Sequence, residues 1–551
     1  MINIKGHRIL IYRILIVLTA ALLFIPFLGG IHLFDWDEVN FAESAREMIV
    51  SKDYLTVQVD FQPFREKPPL FIWMQVISMK IFGINEFAAR FPNAVCGILT
   101  LLVLFNTGRR IYDEKFGLIW VMAWLGSFLP FLYFKSGIID PWLNFFIFSG
   151  ICFFVLFIQN GNRKNIWHLL LSAVFIGLAI LTKGPVAIII FILTVTIIWI
   201  FNGFKLPLTL ANISIFVFIL LIVGGSWFIL QIINGNFDVV ASFVRYQARL
   251  FQTKDAGHGG FFLYHLVILL AGVFPASVFA IKGFVKHPAD NFYQRTFRRW
   301  MIVLFWVVLI IFSIVKTKIV HYSSLCYFPL TYLAAFTIYK IINREIKYSR
   351  WLNLLVISLG FIFALAVIAL PVVNIYKQQI IDSVKINDLF AAGCLQAEVS
   401  WPGLISATGI ILASGVLIFV FCNKQEHFAK GIISLFAAST AFIFLSILTI
   451  APRVEKYVQN AVIQFYKDKR DENAYFSTLG YKSYAQYFYT CKKKPENDKS
   501  YNEQWLLKGD IDKKVYFSIK ADKKDKKLEE NPELKLLYEK NGFVFCERDP
   551  E

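Results

Sequence analysis

Charge is scarce in this sequence: 17% of the residues are Asp, Glu, Lys or Arg, against 57% hydrophobic. A soluble chain of 551 residues could not hide so much apolar surface, and the mean hydropathy of +0.58 agrees. The class is therefore a polytopic α-helical membrane protein. Nucleotide signatures are missing too. No GxxxxGK[ST] occurs, and no GxGxxG leads into a helix, which argues against a nucleotide-driven pump and for no nucleotide cofactor. No HExxH or histidine cluster marks a metal site. The seven cysteines never take CxxC spacing. Cys96, Cys152, Cys326 and Cys422 fall in or beside apolar runs, where cysteine acts as a small hydrophobe. Cys394, Cys491 and Cys546 read as accessible, and a bridge between Cys491 and Cys546 is compatible with an extracytoplasmic tail. The first apolar stretch is long and lacks a small-residue cleavage site, so it reads as a span and not a signal peptide.

What charge there is has a pattern. The formal balance of +18 comes mostly from short loops between apolar runs. This is the positive-inside pattern, and it needs no nucleic acid. Lys5, Arg8 and Arg13 put the N-terminus in the cytoplasm, ahead of a first span at roughly 9–30. Further spans follow near 88–108, 116–134, 141–158, 166–182, 185–201, 212–233, 261–282, 300–315, 322–340, 351–374, 402–422 and 430–451. That is about thirteen crossings. An odd number leaves the tail outside. The expected organisation is a transmembrane domain over 1–451 and a small extracytoplasmic α+β domain over 452–551, with short alternating stretches at 515–521 and 543–547.

The first external loop, 31–87, is far longer than a connector needs to be. Asp37 to Ile49 has nearly helical apolar spacing interrupted by Glu43, Arg46 and Glu47, as in a helix lying along the interface. Leu70 to Phe82 is too short to span and reads as re-entrant or interfacial. Asp37 and Glu38 open the first of these, and between the two lies the knot Arg65-Glu66-Lys67, followed by two prolines that stiffen the backbone at Lys67. Asp35 with Glu38 three residues later also resembles a helix capping box, which leaves Asp37 as the unexplained acid. Asp140, before Pro141 at the outer end of a span, suits either chemistry or an N-cap.

Cations on the wrong side carry the rest. Lys67, Lys183, Arg245, Arg249, Lys316 and Lys318 all fall in the expected outer half. Such a cluster suits a phosphate at headgroup level, although snorkelling lysines meeting lipid phosphates would look the same. The loop 245–265 adds Asp255, His258 and His265 around a Gly-Gly pair, a segment able to close over a substrate or help hold a metal.

WDEVNFAESAREM, REKPPLFIWMQ, LTKGP and KTKIVHYSSLCYFPL together resemble the polyprenyl-phosphate-sugar-dependent membrane glycosyltransferases of the GT-C fold. The likeness is nearer to the lipid A aminoarabinose transferases than to the protein O-mannosyltransferases, and it covers the chain to about residue 450. It implies that Asp37 is the key carboxylate, with Glu38 and Asp140 beside it in the catalytic set. Lys67, Arg249 and Tyr322 would contact the lipid phosphate, Lys183 would support the donor or acceptor pocket, and Lys318 and His258 would join the substrate site. Glu66 would stand at a divalent metal. The departures are Asn40 where the family has arginine, and Arg245-Tyr246 where it has Glu-His. A histidine metal ligand is thus missing from its expected place.

The expected activity is transfer of a sugar from a polyprenyl-phosphate donor to a lipid or glycan acceptor at the periplasmic face of the bacterial inner membrane, with inversion. Two alternatives stay open. One is a protein acceptor, as in O-glycosylation; the other is a transporter or flippase of lipid-linked sugars. The transporter lacks an obvious inverted repeat, and the acidic loop stands on one side only.

Overall fold

In the computed structural model, which describes residues 4–159, 166–252, 260–285, 290–383 and 387–550, the apolar runs are helices. Among the described residues nine helices are long and apolar enough to cross a membrane, and up to twelve crossings result if three bent pairs each count as one. Each bend falls where the hydrogen-bond ladder is weak: at Gly126-Ser127, at Gly225 and at Pro275. The further crossing expected at 185–201 is Val186–Phe201, of 16 residues. At ~1.5 Å per residue it is roughly 24 Å long, short of a ~30 Å hydrocarbon core. By length and composition the described residues give nine to twelve crossings, and this shorter helix, which leads from Lys183 to Asn202 beside Arg299 at the basic end, is the further one expected.

The basic loops gather at one end. Arg8 pairs with Glu114 at 2.6 Å, Lys115 reaches Asn343, Lys282 reaches Ser349, and Arg299 reaches Asn202. Those contacts join loops that alternate along the chain, as the charge pattern predicts.

The opposite end carries the first loop. It holds the helix Asp37–Ser51, the two-residue strands β1 (Gln58–Val59) and β2 (Gln62–Pro63), and the helix Leu70–Phe82. The tail forms a four-stranded sheet from β3 (Tyr475–Leu479), β4 (Val515–Lys520), β5 (Lys535–Lys540) and β6 (Phe543–Arg548), in the order β3-β4-β6-β5. β3 and β4 are parallel and the other pairs antiparallel. Asn541-Gly542, both at positive φ, turn the chain tightly between β5 and β6.

Side chains alternate across this sheet with period two, and each face has its own core. Val515, Phe517, Ile519, Val544 and Cys546 pack on one side with Leu506 and Leu507. Tyr516, Phe543 and Phe545 pack on the other, in a cluster that continues through Phe465 and Tyr489 into Val39, Ala42 and Met48 of the loop helix. Polar ties reinforce it. Leu33 N–H donates to the Tyr489 hydroxyl at 2.7 Å, and Arg46 donates to the Lys492 carbonyl at 2.8 Å. The loop helix is thus sandwiched between membrane helices and the C-terminal sheet. Its Glu43, Arg46 and Glu47 are buried, not turned to water along an interface. Cys546 is buried while Cys491 is exposed, and all seven cysteines are free, so the Cys491–Cys546 bridge does not form.

Candidate active site

Asp140 opens the helix Asp140–Gln159, and Lys183 closes Ile166–Lys183. An anion at a helix N-terminus and a cation at a C-terminus both complement the helix dipole. The two meet, with Lys183 Nζ 2.7 Å from Asp140 Oδ1. Gly184 makes this geometry reachable. Its φ is +85°, and a Cβ there would sit 2.6 Å from Phe243. The LTKGP motif is therefore a helix stop that leaves the lysine at the edge, with Pro185 starting the next helix.

His321 lies between two carboxylates. It belongs to the 3₁₀ turn Val320–Cys326, and its Nε2 stands 3.5 Å from Asp37 Oδ2 and 3.7 Å from Asp140 Oδ2. Asp140 Oδ2 is buried with no hydrogen-bond partner among the described residues, so His321 is its nearest polar company. Asp37, first residue of its helix, keeps about a third of its side chain exposed (31%). Tyr322 follows, with Lys183 Nζ 5.2 Å above its ring. Lys67 reaches the same space from the Pro68-Pro69 segment, its ammonium 5.6 Å over Tyr246. Burial pulls the Lys67 ammonium below its ordinary range. Glu66, Asp37 and Asp140 oppose that pull, and Lys183 adds to it.

Lys67, Asp140, Lys183 and Tyr322 line a cavity whose other walls are mostly apolar, with Leu143, Ile189, Ile190, Ile311, Phe312 and Val315 among them and Asn144, Gln247 and Thr317 as further polar groups. A charged head beside a greasy channel matches an amphiphile with an anionic headgroup.

Of the other expected residues, Arg249 and Glu66 share Tyr246 with Lys67, while Glu38 and Lys318 are engaged elsewhere. Glu38 accepts two hydrogen bonds from Arg90, at 3.0 and 2.7 Å, and others from the N–H groups of Phe34 and Gly137. Burial pushes its carboxyl up, but Arg90 and the two backbone donors overcome this and hold it below the usual range. With its oxygens so occupied, Glu38 braces the loop against the helix Glu86–Ile111. The proposed Asp35–Glu38 capping box is absent as well: Trp36 occupies the N-cap, and Asp35 instead accepts from the Tyr484 N–H at 3.3 Å.

Lys318 is engaged by backbone. Its ammonium donates to the carbonyls of Phe312, Ser313 and Val315 at 2.9, 2.7 and 2.7 Å, capping the end of the helix Phe292–Ile314. Arg249 packs its guanidinium 5.2 Å over Tyr246, on the helix Phe237–Gln252. Glu66 receives the Tyr246 hydroxyl at 3.0 Å. Tyr246 stands where the resemblance puts a histidine, and no group of three metal-type ligands occurs among the described residues. The donor set at Glu66 fits a hydrogen bond and does not fit a cation. His258 lies outside the described residues.

Sequence reasoning missed His321. The signal was present in KTKIVHY, directly before Tyr322, but a histidine at a span end has no spacing partner that would mark it.

Known proteins resemble this chain in sequence and in fold. The family model described as dolichyl-phosphate-mannose-protein mannosyltransferase matches residues 66–227. The undecaprenyl phosphate-alpha-4-amino-4-deoxy-L-arabinose arabinosyl transferase of Pectobacterium carotovorum is 25% identical over 427 residues, 76% of this chain and 70% of that protein. That of Erwinia tasmaniensis is 26% identical over 366 residues, 65% of each chain. The crystal structure of ArnT from Cupriavidus metallidurans bound to undecaprenyl phosphate superposes with a TM-score of 0.74, at 17% identity, over 98% of this chain and 99% of that one. Taken together, these sequence and fold likenesses make the chain a multi-pass membrane glycosyltransferase of the GT-C fold.

Proposed function

We propose that the chain transfers a sugar from a polyprenyl-phosphate donor to an acceptor hydroxyl at the extracytoplasmic face, with inversion at the anomeric carbon. The observation that carries this reading is the single cavity in which Lys67, Lys183, Tyr322 and Asp140 crown an apolar channel. The lipid tail occupies the channel, and its phosphate lies against the two ammonium groups and the tyrosine hydroxyl. As the bond from the anomeric carbon to the phosphate oxygen breaks, its electron pair goes to the phosphate. Fixed cations in a site shielded from water stabilise that growing charge.

The acceptor oxygen attacks from the opposite face, and its proton passes to Asp37. Asp37 suits this role because it is partly exposed and its ion-pair partner among the described residues is His321. His321 in turn sits between Asp37 and the buried Asp140 and fixes the orientation of both. Glu66 accepts the Tyr246 hydroxyl and acts by positioning that residue's helix against the loop.

A protein acceptor is the second reading, favoured by the description of the family model that matches residues 66–227. Transfer by the purified protein in detergent tests both, with radiolabelled polyprenyl-phosphate sugars and, in separate arms, envelope lipids and a serine/threonine-rich peptide. Asp37→Asn should lower the rate by roughly 10²–10⁴-fold while leaving the fold intact. Equal transfer by the variant and the wild type would remove Asp37 from the chemistry.

A further inference from the structure

At the basic end of the bundle, opposite the catalytic carboxylates, two hollows adjoin. The first, of about 690 Å³, lies between the helix Ile4–Phe24, the junction of Glu86–Ile111 with Glu114–Leu125, and the start of Phe428–Thr449. The second, of about 510 Å³, lies between segment 341–348 and the turn 423–430. Ile342 and Ala429 belong to the walls of both. A hydrogen bond also ties them together. Lys115, in the first hollow, donates to Asn343 at 2.9 Å, and the next residue, Arg344, lines the second. Adjacent Cα atoms are only ~3.8 Å apart, so one headgroup can reach cations of both hollows.

Both carboxylates of the first hollow are engaged. Glu114 pairs with Arg8 at 2.6 Å, and Asp113 accepts the Phe116 N–H and the Tyr339 hydroxyl at 2.8 and 2.7 Å. In the second, Glu426 faces three cations, Arg344, Lys347 and Lys430. Among the described residues no carboxylate pairs with those three or with Arg109, which lines the first hollow and whose Nε is buried without an acceptor. The positive-inside pattern accounts for cations at this end, but not for adjoining hollows that hold an unmet guanidinium donor. Beside the charges the wall turns apolar, through Leu118, Ile119 and Met122 on one helix and Ile432 and the exposed Ile433 on another.

We propose that the two hollows form one site for a phospholipid with two phosphates, of the diphosphatidylglycerol class, drawn from the leaflet at the basic end. One phosphate lies against Arg109 and Lys115, the other against Arg344, Lys347 and Lys430, and an acyl chain follows the apolar wall. A lipid with a single phosphate fills one hollow and leaves the cations of the other unmet. The walls come from the first helix and from Phe428–Thr449, the last long helix before the C-terminal sheet, so the bound lipid clamps elements far apart in sequence. The site is independent of the proposed reaction.

Displacement of a fluorescent diphosphatidylglycerol from the full-length protein in nonionic detergent provides the test. The competitors are unlabelled diphosphatidylglycerol, phosphatidylglycerol, phosphatidylcholine and inorganic pyrophosphate. Diphosphatidylglycerol should compete at least tenfold better than phosphatidylglycerol at equal phosphate concentration, and the other two should not compete. Arg344→Gln/Lys430→Gln alters two exposed side chains and should weaken binding at least tenfold, and Arg109→Gln should do the same from the first hollow. Lys205→Gln removes an exposed cation of the same end outside both hollows, and should change the affinity less than twofold. The thermal midpoint without added lipid checks that each variant is folded. Undiminished binding in the folded double variant overturns the site. An equal loss in Lys205→Gln reduces it to general attraction for anionic lipid, and equal competition by phosphatidylglycerol overturns the requirement for two phosphates. Competition by pyrophosphate gives the hollows to a soluble phosphate and overturns the lipid.

Discussion

Glu38 gives its oxygens to Arg90 and two backbone N–H groups, whereas Asp37, one residue earlier, pairs with His321 and stays partly exposed. Neighbouring acids of identical charge therefore answer substitution differently. Glu38→Gln strips the counter-charge from a buried arginine, a change that typically costs about 3–5 kcal/mol. It should lower the thermal midpoint in detergent markedly, while Asp37→Asn leaves the midpoint near wild type and removes transfer. Lys318 gives the same contrast among the cations. Lys318→Met uncaps three helix-end carbonyls, and although Phe312 and Val315 line the headgroup cavity, Lys318 itself does not, so it should cost stability and raise the KM for donor less than threefold. A donor KM raised tenfold in a stable Lys318→Met protein would return that lysine to the binding set. Residue identities such as Asp37, Lys67 and Lys183 were legible in the sequence because charge beside an apolar run is expensive and stands out. The partners that separate Glu38 and Lys318 from them were not. Arg90 lies 52 positions from Glu38 in the chain, and nothing local to either residue announces the pair.

At the scale of elements, the loop helix Asp37–Ser51 is the one whose surroundings decide most. Its extent was readable from apolar spacing, but the surface covering its charged face was not, because that surface comes from residues beyond 460. Burial there has a titration consequence. Burial and the neighbouring Glu43 push the Glu47 carboxyl from its ordinary 4.5 up to about 9, against the pull of the Phe61 N–H and Arg46. The folded protein then holds a proton that the unfolded chain releases above pH 4.5 or so. The stability this proton lends is complete below that value, declines as pH rises, and is gone above about 9. Glu47→Gln keeps the neutral form at every pH. Thermal midpoints of wild type and Glu47→Gln should therefore lie close at pH 5 and diverge toward pH 9, with the wild type falling faster. Parallel curves would show that Glu47 is already ionised in the folded protein.

For the whole molecule the open question is which end faces out, and the packing makes one cysteine able to answer it. The sheet, the loop helix and the catalytic carboxylates share one end, because the cluster containing Tyr516, Phe545 and Val39 is continuous and Asp37 begins the helix that carries Val39. Cys491 lies in that end and is exposed. Cys422 is half-buried near the opposite end, two residues before Lys424 and close to the basic loop that contains Lys430. The positive-inside pattern puts that loop in the cytoplasm, and the periplasmic site follows only if the pattern holds for this chain. A membrane-impermeant maleimide applied to spheroplasts should modify Cys491 at once, and Cys491→Ser should remove all labelling but the slow reaction of the half-buried Cys394 at the same end. Cys422 should react only after the membrane is lysed. The reverse order would put the headgroup cavity on the cytoplasmic side, where a donor presented at the outer leaflet cannot reach Lys67 and Lys183. Labelling of both cysteines before lysis would report leaky spheroplasts, and a cytoplasmic enzyme assayed in the supernatant shows whether that has happened.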